Sequence, residues 1–209
     1  MLAHFRLAAV LVLLLLNSVE VNERSVVTPQ EFELAFPKVM GWIQKTLLAH
    51  QKLARPVTSK NFQRLPLYFS RAQIGAAKFV VVDRLPVPPL SSFGLSRFAE
   101  FERGDYGGIT YLDTYFLKTT GEGDESLHFH EMVHVVQWRV LGAERFLALY
   151  ANGLEAFGYR NSPLEKMVYD AQELFDRSAA VFDAEKLVTE KLEAYQYRDC
   201  CDSERDAPR

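Results

Sequence analysis

The chain has 209 residues, a formal net charge of −3 and 48% hydrophobic residues. This length and composition suffice for one domain with a buried core. The basic residues are scattered along the chain, which argues against the cationic face of a nucleic-acid-binding protein. The two cysteines, Cys200 and Cys201, are adjacent near the C-terminus, so the fold cannot depend on a disulfide framework.

The first segment has the composition of a signal peptide. His4 and Arg6 precede an apolar run from Leu7 to Leu16, the order expected for an export signal. The run is shorter than the about 20 residues that span a membrane, but it can be extended to Val21. We therefore expect residues 1–21 to be a cleaved signal or a membrane anchor. The protein would be exported, periplasmic or membrane-associated, with a cytoplasmic location as the alternative.

The first helix is predicted from a capping sequence. Thr28 is followed by Pro29 and, three positions on, by Glu31, which together form an N-cap, a first-turn proline and a capping box. The helix should continue toward Ala54. Pro37 and Gly41 lie within this stretch and predict a kink or a split.

Two strands are predicted next. Phe79 to Asp83 is a short run rich in valine, and Ile109 to Leu117 is rich in threonine, tyrosine and β-branched residues. Both compositions favour extended structure. Between them, the segment from Pro86 to Gly94 contains several prolines and reads as a loop.

Helices dominate the C-terminal half. The first covers Leu127 to Leu141 and should end at Gly142, which suits a helix C-terminus. The later helices are predicted at Ala143–Phe157, Pro163–Phe175 and Asp183–Tyr197, followed by a disordered tail over residues 198–209. The sequence thus predicts one α+β domain over residues 22–197, mostly helical, with a small sheet packed beside the Leu127–Leu141 helix.

That helix contains the sequence His130-Glu131-Met132-Val133-His134. Two histidines four positions apart on a helix differ by about 40° around the axis and about 6 Å along it, so their rings can converge on one point. Two neutral imidazoles suit zinc, and a catalytic zinc keeps one position open for water. The adjacent Glu131 can accept a proton from that water. We therefore expect His130 and His134 to bind zinc and Glu131 to act as the general base.

A third protein ligand is required, and a downstream glutamate is a common solution. The candidates are Glu165, Glu173 and Glu155, of which we favour Glu165 because it lies one turn inside a helix among apolar residues. The competing interpretation is that Ser162 and Glu165 form a capping box. A third histidine, as in metzincins, is not available because Gln137 and Val140 occupy the corresponding positions.

Other polar residues have less specific predictions. His128 is two positions from His130 and should point away from the metal, in a core or first-turn role. Tyr159, Arg160 and Tyr169 could stabilise an oxyanion, or they could serve packing or the surface. Asp170 could hold a ligand imidazole or be solvated.

The sequences HEMVHVVQW, GGITYLDTYF and YRNSPLEKMVYDAQ together resemble the small gluzincin-type metallopeptidases found in many bacteria. The resemblance covers about Phe79 to Phe175. It implies a zincin-like fold, a zinc ion held by His130, His134 and Glu165, and hydrolysis of peptide or protein substrates by water activated by Glu131. It also implies that the Ile109–Phe116 strand binds extended substrate along its edge. The pattern N-E-x-x-x-D of larger gluzincins is not kept, because Glu165 follows Leu164 and Asp170 is one position late.

Two other functions are consistent with the motif. The chain could be a catalytically inert zinc-binding module that serves structure or partner docking. It could also hydrolyse non-peptide amides, as peptide deformylases do, but those enzymes take a ligand from an upstream cysteine and none precedes this helix.

Overall fold

The computed structural model describes residues 27–177 and 180–205. The helices are α1 (Pro29–His50), α2 (Arg71–Ala76), α3 (Ala99–Glu102), α4 (Glu125–Phe157), α5 (Pro163–Asp176) and α6 (Ala184–Arg205). The strands are β1 (Arg55–Pro56), β2 (Lys78–Val82), β3 (Gly108–Tyr111) and β4 (Thr114–Lys118). The predicted α+β class is confirmed: helices predominate, and the strands form one small mixed sheet.

Helix α1 begins as predicted. The Thr28 side chain accepts from the Glu31 backbone N–H, and the Glu31 carboxylate accepts from the Thr28 backbone N–H, which completes the capping box. The helix is continuous through Pro37 and Gly41, so the predicted split is wrong. A proline removes one backbone hydrogen bond, but the apolar face continues on both sides of it and remains packed through Ala35, Val39 and Ile43.

The sheet has the strand order β1-β2-β4-β3, with β2 parallel to β4 and the other neighbours antiparallel. The single strand predicted over Ile109–Leu117 is wrong, because this segment is a hairpin of β3 and β4. The chain reverses at Leu112 and Asp113, where Leu112 has a φ of 58°. Hairpin turns of this length usually carry glycine, asparagine or aspartate in the left-handed conformation, so leucine gave no turn signal. The reversal makes β3 an edge strand.

Helix α4 carries the HEMVH sequence and forms the centre of the core. Asp124 caps its first turn by accepting from the backbone N–H groups of Ser126 and Leu127. The helical conformation is interrupted at Gly142 (φ 72°, ψ 165°), which confirms the predicted break there. The first half of α4 packs against β3 and β4, and its apolar side chains Phe129, Met132, Val133 and Val136 are fully buried.

The two C-terminal helices, α5 and α6, both pack against α4. Helix α5 packs along α4 and begins at Pro163, as predicted. Helix α6 extends to Arg205, so it includes part of the tail predicted to be disordered from position 198. The predicted signal or anchor at 1–21 and the tail residues 206–209 lie outside the described residues. Within the described part of the chain, no helix combines the length and apolarity required to cross a membrane.

Candidate metal centre

Three side chains from α4 and α5 converge on one point. His134 Nε2 lies 3.3 Å from Glu165 Oε1, and His130 Nε2 lies 3.7 Å from Glu165 Oε2. The three candidate ligand atoms, one from each residue, all lie within 4.8 Å of one another. Two ligands that bind zinc tetrahedrally at about 2.0–2.1 Å are about 3.3 Å apart. The separations therefore match a metal site, and the three residues are almost completely buried.

Glu165 is the one of the three candidate glutamates that reaches this point. Glu155 forms an ion pair with Arg97, and Glu173 pairs with Arg177 on the surface. The capping box that competed for Glu165 does not form, because no side-chain cap bond is made and Ser162 Oγ is buried without a partner.

The Glu165 carboxylate has one committed oxygen and one uncommitted oxygen. Tyr150 donates its hydroxyl to Oε1 at 2.6 Å. Oε2 is buried and has no hydrogen-bond partner. An unpartnered carboxylate oxygen in a protein interior is costly, and a cation would satisfy it. The donor set and this uncommitted oxygen therefore fit a divalent metal.

Both histidines are held by glutamines. Gln172 Oε1 lies 2.9 Å from His130 Nδ1, and Gln137 Oε1 lies 2.9 Å from His134 Nδ1. The glutamine amide groups donate to Ser126 Oγ and to the Leu164 carbonyl, respectively. The glutamine oxygens can then only accept, so each Nδ1 carries a proton and each Nε2 is the nitrogen that could bind a metal. Metal-binding histidines need this second hydrogen bond.

The glutamines were not predicted. Asp170, which was considered for this role, bonds Lys166 at the surface instead. Spacing could have indicated both glutamines: Gln137 follows His134 by three positions on α4, and Gln172 follows Glu165 by two helical turns on α5.

Glu131 lies beside the cluster and is fixed by β3. Thr110 donates its hydroxyl to Glu131 Oε2 at 2.6 Å. A Cβ atom placed on Gly108 would lie 2.3 Å from Glu131 Oε1, so only glycine leaves room for the carboxylate there. Burial raises the pKa of Glu131, while His130 and His134 act in the opposite direction.

Charges within the cluster are strongly coupled. Burial lowers the pKa of His134, but Glu165, with further contributions from Glu131 and Gln137, outweighs this effect and raises the pKa to about 9. Burial opposes ionisation of Glu165, yet the two histidines hold the pKa of its carboxyl well below the usual range. In the metal-free protein, His134 and Glu165 therefore form a buried ion pair.

Four tyrosines surround Glu165. Burial is the main cause of the raised pKa values of Tyr106, which reaches about 12, and of Tyr150, Tyr159 and Tyr169, with Glu165 adding to the effect in each. Their hydroxyls therefore remain protonated. Of the residues predicted near an oxyanion, Tyr159 lines the cavity beside the cluster. The Tyr169 ring packs on the His130 ring, and the Arg160 guanidinium stacks on Tyr169.

His128 points away from the cluster, as the helical spacing predicted. Its Nε2 lies 3.0 Å from the Glu122 carbonyl and its Nδ1 lies 2.6 Å from the Tyr115 hydroxyl. A carbonyl only accepts, so Nε2 carries the proton and Nδ1 accepts from Tyr115. Burial lowers the pKa of His128 to about 4, which keeps it neutral and structural.

Comparisons with protein-family models, curated proteins and solved structures found no significant match.

Proposed function

We propose that this chain is a zinc-dependent peptidase in which His130, His134 and Glu165 bind the metal and Glu131 is the general base. The observation that carries the proposal is the buried cluster of two histidines and one glutamate, with the carboxylate of Glu131 fixed beside it. A purely structural zinc site is commonly closed by four protein ligands. Three ligands beside an oriented carboxylate favour a hydrolytic site.

A zinc ion bound by these residues would supply Lewis acidity to the substrate carbonyl and to a nearby water. Glu131 would take a proton from the water as the water oxygen attacks the peptide carbonyl carbon. Glu131 would then deliver this proton to the leaving amine as the C–N bond breaks. Thr110 holds one oxygen of Glu131, so the other remains available for the proton.

The edge of β3 is a suitable place for the substrate backbone. Lys118 donates its backbone N–H to the Gly107 carbonyl, and the paired groups alternate along an antiparallel ladder. Gly108 and Thr110 therefore turn their backbone groups to the outer edge. The Trp138 indole N–H already binds the Thr110 carbonyl at 3.1 Å. An extended peptide would pair with Gly108, directly beside Glu131.

The test is the Glu131→Gln variant of the zinc-loaded protein, assayed for cleavage of a peptide library by mass spectrometry. We expect zinc to be retained and turnover to fall by about 100- to 10,000-fold, because a positioned proton acceptor contributes this range. Glu144→Gln, at an exposed position of the same helix, is the matched control and should cleave normally.

The alternative is a zinc-binding module without turnover, and the same experiment separates the two. In that case the wild type binds zinc, cleaves no peptide in the library and unfolds when the metal is removed. Equal cleavage by wild type and Glu131→Gln would instead show that Glu131 is not the base.

A further inference from the structure

A cavity of about 110 Å³ extends from the candidate metal centre into the protein. Glu131, His134 and Glu165 line one end of it. The remaining walls come from α1, the loop before α3, β3 and the second half of α4, and they are predominantly apolar. Representative lining residues are Phe32, Val39, Ile43, Leu95, Phe98 and Leu154.

Several polar side chains in the walls are already hydrogen-bonded within the protein. The hydroxyls of Tyr106 and Tyr111 donate to the carbonyls of Phe101 and Pro86. The hydroxyls of Tyr150 and Thr110 donate to Glu165 and Glu131, and the Trp138 indole N–H donates to the Thr110 carbonyl. Among the described residues, no lysine, arginine or aspartate lines the cavity, and its acidic residues are Glu131 and Glu165. A polar side chain placed among the apolar walls would therefore lose its hydration without gaining partners.

We propose that this cavity binds the branched aliphatic side chain of leucine or isoleucine, from the residue next to the scissile bond. The assignment to a substrate rests on the proposed peptidase function. An apolar cavity of about 150 Å³ holds a benzene molecule, so 110 Å³ suits a four-carbon side chain better than an aromatic ring. Apart from Glu131 and Glu165, which the proposed mechanism already uses, the described wall residues offer no countercharge for a terminal amine or carboxylate. We therefore expect the bound segment to be internal to a peptide.

The first experiment needs no turnover. N-acetyl-leucinamide and N-acetyl-alaninamide are titrated into the 209-residue chain as purified, without chelator, and the indole N–H signals are followed by NMR. The chain has two tryptophans: Trp138 lines the cavity and Trp42 does not. The leucine amide should shift the Trp138 signal, leave the Trp42 signal unchanged and bind about 50-fold more tightly than the alanine amide, which has three fewer carbon groups.

A pair of variants locates the binding. Ala151 lines the cavity, whereas Ala148 is half-buried on the same helix and does not. Ala151→Leu should weaken binding of the leucine amide at least tenfold, and Ala148→Leu should not change it. If Ala151→Leu fails to fold, the wild-type titration alone still decides.

The proposal is overturned if the leucine amide leaves Trp138 unshifted. It is also overturned if hexanamide, a straight acyl chain with one terminal amide and no amino-acid backbone, binds more than tenfold tighter than the leucine amide, since the occupant would then be a lipid-like chain. Failure here leaves the Glu131→Gln comparison intact, and failure of that comparison leaves the aliphatic pocket intact.

Discussion

Tyr150 and Glu165 form a hydrogen bond of 2.6 Å between the tyrosine hydroxyl and Oε1 of the carboxylate. The other oxygen, Oε2, is left without a partner in the interior. The bond fixes the rotation of the carboxylate and leaves Oε2 available to a metal ion. Tyr150 would therefore act on a bound metal through Glu165.

Replacing Tyr150 with phenylalanine should weaken zinc binding by about 10- to 100-fold, the usual effect of removing a group that orients a ligand. Competition with a chelator of known zinc affinity measures this change. Tyr106→Phe is the control, because that hydroxyl lines the same cavity but donates to the Phe101 carbonyl. Equal zinc affinity in wild type and Tyr150→Phe would show that the bond is not needed for metal binding.

The ligand set predicts metal content directly. Wild type should carry one zinc per chain after reconstitution and gel filtration, and His134→Ala and Glu165→Gln should carry essentially none, because two remaining protein ligands hold the ion poorly. Glu173→Gln, which changes a surface ion pair on the same helix as Glu165, should behave as wild type. Zinc retained at full stoichiometry in Glu165→Gln would exclude this residue as a ligand.

Gly108 sets the position of Glu131, the proposed general base. In Gly108→Ala, the new Cβ would meet Glu131 Oε1 at 2.3 Å and Cδ at 2.7 Å, so the carboxylate must move. We expect turnover to fall by about 100-fold, as in other cases of small misplacement of a catalytic group, while zinc content stays unchanged. The control is Gly107→Ala, where the nearest contact is a flexible Leu127 methyl at 3.4 Å. Normal turnover by Gly108→Ala would show that Glu131 tolerates displacement.

His128 makes folding stability depend on pH. Its pKa is lowered from 6.5 to about 4 in the folded state, mainly by burial, so the unfolded chain binds the proton first as pH falls. The contribution of neutral His128 to the free energy of unfolding is fully present above pH 6.5 and is lost as pH falls from 6.5 to 4. Below pH 4 it no longer changes with pH. The loss amounts to about 3 kcal/mol, from 1.36 kcal/mol per pKa unit.

The measurement is urea unfolding of the metal-free protein at several pH values, compared with His128→Asn. The variant should be less stable at pH 7 because it loses the bond from Tyr115 or the one to Glu122. The difference in free energy of unfolding between the two proteins should narrow as pH falls to 4, because titration of the other groups affects both proteins equally. A difference that stays constant with pH would show that His128 does not carry this dependence.

The sequence alone determined the features that depend on neighbouring residues. The capping box at Thr28, the helix break at Gly142 and the pairing of His130 with His134 all follow from local spacing, because a helix places residues three and four apart on one side. The α+β class followed in the same way, from the change of pattern between the valine-rich strand and the later helices.

Tertiary structure decided which distant residues complete the site. The sequence favoured Glu165 as a ligand but also allowed a capping box with Ser162. The approach of α4 to the start of α5 resolved this, with Gly153 in α4 leaving room for Ser162 and Pro163. That approach places Tyr150 on Glu165. The hairpin turn at Leu112 and the glutamines behind the histidines likewise depend on packing. Contacts between residues far apart in the chain arise from how the helices and strands bury their apolar faces, which no local pattern specifies.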